Sequence, residues 1–223
     1  MFVFMKDLVI INFKTYTESA GKNALKIARA AERALKKVKG NVILVPQFVD
    51  LRLVSQNSKL KVFAQHVDLF GPGGHTGSIN IDALKDAGVK GVLINHSEKR
   101  LSLNIIEETV ALCKKKNMIS VVCTKNLSET KKVIEFKPDF VAVEPPELIG
   151  GNVSISEAKP ELIENAVDFS NGVKVLCGAG IHTEDDVRIA KSLGAQGVLV
   201  ASGVVKAKNV EREIVDLLSG FKE

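Results

Sequence analysis

Short apolar runs alternate with amphipathic runs along this sequence, and that alternation restricts the possible folds more than any other feature. The apolar runs are rich in β-branched residues and almost continuously hydrophobic, as in strands that are covered on both faces. They predict strands at residues 8–13, 42–45, 61–65, 92–94, 119–123, 140–143, 174–176 and 198–200.

The amphipathic runs between these strands predict helices. The clearest covers residues 20–38, which are rich in Ala, Leu, Lys and Arg and are followed by Gly40. Thr183, which is followed by three acidic residues, has the pattern of a helix N-terminus. We expect further helices at residues 79–87, 105–116, 128–136, 161–169, 183–193 and 210–218, and a brief one between residues 42 and 61.

A strand followed by a helix, repeated eight times, belongs to the α/β class. Eight parallel strands can form an open doubly wound sheet or close into a barrel. The count of eight and the absence of a linker favour a single (βα)8 barrel with eight parallel strands. The 223 residues suit one such barrel, so we expect one domain over residues 1–223.

The charge and the aromatic content argue against a nucleic-acid partner. The net charge is +5, but the lysines are spread along predicted helices, and the run at residues 114–116 suits a helix C-terminus. The chain has no Trp and one Tyr with which to stack on bases. A small anionic substrate is another explanation for the positive net charge.

Three cysteines and the hydropathy pattern bear on the compartment. Cys113, Cys123 and Cys177 are odd in number and form no C-x-x-C pair, which argues against a disulfide framework or a zinc site. No run approaches the roughly 20 apolar residues of a membrane span. The first residues lack a basic leader with a cleavage site. We therefore expect a cytoplasmic protein with no membrane partner and no metal.

In barrels of this kind, function is located at the carboxyl ends of the strands. Asn12 and Lys14 end the first strand and point to the same side, although a strand can also simply end in polar residues. His96 follows the fourth strand and precedes a cluster of both charge signs, which favours a functional role because burying unpaired charges is costly. The other histidines, His66, His75 and His182, are expected to be structural.

The sixth strand runs directly into Glu144. A carboxylate at a strand end beside apolar neighbours is a candidate general base. Residues 145–152 have the pattern of a lid, with prolines that stiffen one end and glycines that free the other. Glu147, inside this lid, is expected to be exposed and structural.

Small residues follow the last two strands, at Gly178–Gly180 and again at Ala201–Gly203. Small side chains let backbone N–H groups approach a ligand closely. The loops after strands seven and eight of such barrels commonly form a phosphate site. The two loops together predict phosphate binding near Gly180, Ala201 and Ser202.

In this order, Asn12-x-Lys14, the segment from His96 to Arg100, and Glu144-Pro145 with its glycine-ended loop resemble the triosephosphate isomerase family. The resemblance covers essentially the whole chain, and the lid sequence and length are similar to the short, archaeal-type branch. The lid departs from the family at its end, where Gly150-Gly151-Asn152 stands in place of Gly-Thr-Gly. We expect this departure to affect lid closure rather than the reaction.

The resemblance implies an isomerase of glycolysis and gluconeogenesis that interconverts dihydroxyacetone phosphate and D-glyceraldehyde 3-phosphate through an enediolate. It implies no metal or organic cofactor. It assigns roles to these residues: Glu144 as base, His96 as neutral electrophile, Lys14 as electrostatic clamp, Asn12 as orienter of a substrate oxygen, Glu98 as support for Lys14 or the His96 loop, and Ile149, Gly180, Ala201 and Ser202 as phosphate contacts.

The resemblance also implies self-association. Residues 70–78 form a connection that is long and rich in glycine, and the alternative is a flexible surface loop. In the family this loop inserts into a neighbouring subunit, where the residue matching Thr76 steadies the active-site residues. We expect at least a dimer, and the short branch suggests a homotetramer.

Two other functions remain open from the residues alone. One is a Schiff-base aldolase that uses Lys14 as its nucleophile. The other is a barrel that binds a phosphorylated metabolite without turning it over, although a binder has no need of a base such as Glu144.

Overall fold

Eight parallel strands pair in chain order and close into a barrel in the computed structural model, which describes residues 6–151 and 154–222. This confirms the predicted (βα)8 barrel. The strands are β1 (Leu8–Asn12), β2 (Asn41–Val45), β3 (Lys61–Ala64), β4 (Gly91–Ile94), β5 (Ile119–Thr124), β6 (Phe140–Val143), β7 (Lys174–Cys177) and β8 (Gly197–Val200).

The helices follow the strands around the outside of the barrel. They are α1 (Lys22–Lys37), α2 (Leu51–Asn57), α3 (Ile81–Asp86), α4 (Leu103–Lys115), α5 (Leu127–Glu135), α6 (Ile155–Ala158), α7 (Pro160–Asp168), α8 (Glu184–Ser192), α9 (Ser202–Val205) and α10 (Val210–Ser219). Seven lie within two residues of their predicted bounds, and α2 is the brief helix expected after the second strand. The four-residue helices α6 and α9 were not predicted, because one turn is too short to show helical periodicity.

The core has two layers that follow the alternation of side chains along each strand. Leu8 and Ile10 of β1 face the barrel interior, with Phe63, Leu93, Phe140 and Leu176 from other strands. Val9 and Ile11 face outward into the layer between the strands and the helices. Both faces of each strand are therefore buried, which explains the nearly continuous hydrophobicity of the strands.

The barrel closes where β8 meets β1, with Leu8 opposite Gly197. A Cβ atom at Gly197 would lie 2.4 Å from the Leu8 carbonyl oxygen. Only glycine permits this close approach of the two backbones. Closure brings the carboxyl ends of all eight strands to one rim.

The loop after β7 has a rigid connection to the start of α8. Thr183 and Asp186 form a capping box, in which the Asp186 N–H donates to Thr183 Oγ1 at 3.1 Å and the Thr183 N–H donates to Asp186 Oδ2 at 2.8 Å. This confirms the helix N-terminus predicted at Thr183.

Candidate active site

A small cavity lies at the carboxyl rim of the barrel. Its volume of about 70 Å³ is well below that of pockets for drug-sized ligands. Most of the residues predicted for the site meet in its wall: Asn12, Lys14, His96, Glu144, Ile149, Gly180, Ala201 and Ser202. Of the other two, Glu98 lines a neighbouring cavity, and Thr76 is exposed on the loop of residues 70–78.

Glu144 extends into the cavity from the end of β6. The residue is 2% exposed, and its backbone N–H donates to the Thr124 carbonyl oxygen at 2.7 Å. Among the described residues, its Oε2 atom has no hydrogen-bond partner. Burial raises the pKa of Glu144 to about 7, although the Cys123 thiol, Arg100 and Lys14 act in the opposite direction. A buried carboxylate with a free oxygen and such a pKa is suited to accept a proton near pH 7.

His96 faces Glu144 across the cavity, with 3.9 Å between His96 Nε2 and Glu144 Oε1. The Glu98 backbone N–H donates to His96 Nδ1 at 3.2 Å. An accepting Nδ1 places the ring proton on Nε2, the nitrogen that faces the cavity. Burial, with the positive charges of Lys14 and Arg100, lowers the pKa of His96 to about 4, although the Glu98 carboxylate acts in the opposite direction.

The neutral state of His96 has a different cause from the expected one. The polar residues 97–100 predict a helical turn, whose N-terminus would disfavour the imidazolium. They do form a turn, closed by the Lys99 N–H and the His96 carbonyl oxygen at 2.8 Å, but no helix continues from it, since α4 begins only at Leu103. The pKa of His96 is therefore lowered mainly by burial, with the charge of Lys14 next.

Lys14 is held in a strained backbone conformation at the end of β1, with φ of 46°. Its N–H donates to Asn12 Oδ1 at 3.0 Å, and its Nζ lies 3.0 Å from Glu98 Oε1. Glu98 thus supports both Lys14 and the His96 ring. The side-chain oxygen Oδ1 of Asn12 is committed to the Lys14 N–H, so the side-chain NH2 group of Asn12 is the part that can donate to a ligand.

Gln65 is part of the site that the sequence did not predict. Its Nε2 donates to the Lys14 carbonyl oxygen at 2.9 Å and lies 3.3 Å from Asn12 Oδ1. It therefore fixes both residues that end β1. The only signal in the sequence was a polar residue at the end of the third predicted strand.

The loops after β7 and β8 and the lid form the remaining wall. Gly180 and Gly150 adopt φ of 69° and 72°, in the left-handed region that favours glycine. The Ile149 N–H donates to the Pro146 carbonyl oxygen at 3.3 Å within the lid. Gly151 lies outside that left-handed region, and Asn152 lies outside the described residues.

The histidines that we expected to be structural lie in different surroundings. His66 is buried with its Nε2 3.0 Å from Asp68 Oδ1, and His75 stacks on Phe70 in the loop of residues 70–78. His182 instead lies in the cavity wall, so treating it as structural missed a residue of the site. Its neighbours in sequence gave no indication of this, because the contact is made across the barrel rim.

Over residues 6–151 and 154–222, no three His, Cys, Asp or Glu side chains are grouped so that they could hold a metal ion. In that same part of the chain, no helix is both long enough and apolar enough to span a membrane.

Comparison with known proteins identifies the family. The family model for triosephosphate isomerase matches residues 7–218. The chain belongs to the triosephosphate isomerase family. It is 49% identical to the triosephosphate isomerase of Methanocaldococcus jannaschii over 215 residues, which cover 95% of this chain and 98% of that protein. It is 48% identical to that of Methanobrevibacter smithii, over 95% of this chain and 97% of that protein. These matches confirm the resemblance to the archaeal-type branch of the triosephosphate isomerase family.

The geometry predicts that His96 is neutral at pH 7 with its proton on Nε2. A ring buried beside Lys14, with Nδ1 accepting from Glu98, disfavours the imidazolium. An NMR titration of the imidazole ¹⁵N signals from pH 8 to pH 5 should show one tautomer throughout. A titration midpoint above pH 6 would contradict the assignment.

The buried Glu144 predicts a pH-dependent cost in stability. Its pKa in the folded chain, about 7, lies above the usual 4.5, so the folded state binds the proton more tightly than the unfolded state. The free energy of unfolding contributed by this group therefore falls as the pH rises from 4.5 to 7. Glu144→Gln, which carries no charge, should raise the free energy of unfolding by about 1–3 kcal/mol at pH 8.

At pH 5 the same substitution should have a smaller effect, because this pH lies only just above the unfolded pKa of 4.5 and little of the cost has yet built up. Urea unfolding at one fixed protein concentration measures the difference. The matched control is Glu147→Gln in the exposed part of the lid, where burial imposes no such cost. An equal effect of Glu144→Gln at pH 5 and pH 8 would contradict the raised pKa.

Proposed function

We propose that this chain interconverts dihydroxyacetone phosphate and D-glyceraldehyde 3-phosphate through a cis-enediolate. One observation carries the proposal: the buried, unpartnered oxygen of Glu144 shares one small cavity with the neutral ring of His96 and the ammonium group of Lys14. A base, a hydrogen-bond donor and a cation are the groups that proton transfer next to a carbonyl requires.

The reaction moves a proton between two adjacent carbons. Glu144 removes the proton from the carbon next to the carbonyl, and the electron pair moves onto the carbonyl oxygen. His96 Nε2–H donates to the enediolate oxygens, Lys14 stabilises their charge, and Asn12 orients the substrate oxygen. Glu144 then returns the proton to the neighbouring carbon, while the hydroxyl proton of the first carbon passes by way of His96 to the former carbonyl oxygen. No atom is gained or lost, and the steps use no metal or organic cofactor.

The phosphate group would lie against the loops after β7 and β8. Backbone groups near Ile149, Gly180, Ala201 and Ser202 line that side of the cavity. The lid would exclude water, which matters because an enediolate phosphate that is exposed to solvent can eliminate its phosphate. The basic net charge of the chain favours a small anionic substrate of this kind.

The contacts of Lys14 argue against the aldolase alternative. Its ammonium group is held 3.0 Å from Glu98 Oε1, and an ammonium held in an ion pair has no lone pair with which to attack a carbonyl. Borohydride reduction in the presence of a triose phosphate would trap an imine only in an aldolase. The binding-only alternative fails to account for Glu144, whose burial as a charged base is costly.

We also propose that the chain acts as an oligomer, at least a dimer and in this branch a homotetramer. A cavity of about 390 Å³ opens beside the site and is lined by Lys14, Glu98 and Phe48, among others. The Glu98 side chain is 61% exposed although it holds Lys14, and Val49, next to Phe48, is 82% exposed. Phe70, in the loop of residues 70–78, is 52% exposed. The loop of residues 70–78 from a second copy, carrying Thr76, would fill this cavity and cover these side chains.

The cysteines support a cytoplasmic location for a one-domain enzyme over residues 1–223. Cys113, Cys123 and Cys177 are all free and buried. Unpaired cysteines are typical of proteins from reducing compartments.

Glu144→Gln should remove nearly all turnover. The amide keeps the shape of the side chain but cannot accept the proton, and general-base contributions are commonly about 10²–10⁴-fold. Isomerase activity on purified protein, coupled to a dehydrogenase, measures the loss, while binding of 2-phosphoglycolate should stay within a few-fold. Glu147→Gln in the same lid is the matched control and should keep its activity. Retention of more than about a tenth of wild-type kcat by Glu144→Gln would place the base elsewhere.

Introducing charged side chains at the proposed interface should dissociate the oligomer, and activity should fall in parallel. Val49→Glu with Phe70→Glu places two charges where the partner's surface would be apolar, so we expect a 24.1 kDa species in analytical ultracentrifugation. The control Phe169→Glu, an exposed aromatic after α7, should still form an assembly of at least two copies. A wild-type monomer with full activity would contradict the proposed interface.

A further inference from the structure

His182 follows β7 and lies in the wall of the active-site cavity, where its side chain is half-buried. Its ring nitrogen Nε2 lies 2.8 Å from the carbonyl oxygen of Gly151, near the end of the lid. A carbonyl oxygen can only accept, so Nε2 must carry the proton that is donated to the lid. The contact therefore fixes the tautomer of His182 as well as the position of the lid end.

The backbone of His182 is anchored independently of the lid. Its N–H donates to Asp186 Oδ2 at 3.0 Å, and the same carboxylate oxygen accepts from the Thr183 N–H in the capping box of α8. The carboxylate thus ties the loop after β7 to a helix that packs on the barrel. A side chain attached to such a fixed segment can hold a mobile one in place.

The same ring also lies against the loop after β8. A Cβ atom at Gly203 would come within 2.9 Å of His182 Nδ1, so the ring fits only because residue 203 is a glycine. Ala201 and Ser202, which line the cavity, directly precede this glycine. One imidazole ring therefore contacts the lid end and the loop next to the proposed phosphate position at the same time.

A second side-chain contact, in the described part of the lid, has a different character. Glu147 pairs with Lys159, but their side chains are 55% and 39% exposed, and exposed ion pairs contribute little. The half-buried hydrogen bond from His182 is therefore the stronger of the two restraints. It acts at the end of the lid that carries Gly150 and Gly151, where backbone freedom is greatest.

We propose that His182 is a positioning residue for the lid, which holds the Gly151 end against the loops that bind the substrate phosphate. This inference rests on the proposed isomerase function. The lid closes over the phosphate and the enediolate, so a looser lid end should weaken phosphate binding and expose the intermediate to water. His182 itself takes no part in the proton transfer.

Three variants test the proposal. His182→Ala removes the donor, His182→Gln keeps an N–H at about the place of Nε2, and Arg188→Ala on the exposed face of α8 is the matched control. The readouts are inhibition by 2-phosphoglycolate, kcat and KM separately, and the share of turnover that ends in phosphate elimination. In elimination the enediolate breaks its C–O bond to phosphate, which yields methylglyoxal and inorganic phosphate.

We expect His182→Ala to weaken 2-phosphoglycolate binding by about 2- to 12-fold, which corresponds to one hydrogen bond, and to raise the share of elimination. His182→Gln should restore both to within about twofold of the wild-type values, and Arg188→Ala should change neither. A His182→Ala variant with unchanged binding and unchanged elimination would overturn the proposal. So would a failure of His182→Gln to restore either value while folding normally.

A measurement on the wild-type protein keeps the proposal testable if His182→Ala does not fold. The ¹⁵N spectrum should show His182 as the Nε2–H tautomer in the 2-phosphoglycolate complex, and an Nδ1–H tautomer would overturn the proposal. A wild-type protein that binds 2-phosphoglycolate but does not isomerise triose phosphates would instead reject the proposed function. In that case the binding effect of His182→Ala still decides the role of His182.

Discussion

Closure of the barrel is the constraint on which the site depends. Eight parallel strands that close on themselves must all end at one rim, so residues far apart in sequence become neighbours there. Asn12 of β1, His96 after β4 and Glu144 after β6 meet in one cavity for this reason. Gly197 permits the closure, because any side chain there would collide with the Leu8 backbone. The chemistry of the rim is therefore a consequence of backbone packing at the seam between β8 and β1.

Burial at this rim determines the charge of the site. Loss of water raises the pKa of Glu144 to about 7 and lowers that of His96 to about 4, so one cause acts on an acid and on a base in opposite directions. Both shifts reduce the charge that these side chains carry. Lys14 then supplies the positive charge in the cavity wall, which suits an anionic substrate and a developing enediolate. The proposed acid–base roles follow from the environment rather than from the residue types alone.

The strands and the central residues of the site could be predicted because their signals are local. A continuous β-branched run indicates a buried strand, and the polar residue after it, such as Glu144, must lie at the rim. Gln65 and His182 could not be found in this way, since each acts through a contact with a segment far away in sequence. The turn expected after His96 is present but opens no helix, because one turn of polar residues looks the same in sequence whether or not a helix continues from it.

Two non-glycine residues at strand ends adopt left-handed backbone conformations, Lys14 with φ of 46° and Asn95 with φ of 61°. Each such conformation costs about 1–3 kcal/mol and persists only where the surroundings enforce it. Gln65 holds the Lys14 carbonyl, while the Asn95 side chain donates to the Cys123 carbonyl oxygen at 2.9 Å and accepts from the Leu101 N–H at 2.8 Å. Asn95 directly precedes His96, and Lys14 is itself one of the proposed catalytic residues. These hydrogen bonds at the rim therefore hold the left-handed backbone of Lys14 and Asn95. They also hold in place the side chains of Lys14 and His96, which face the cavity.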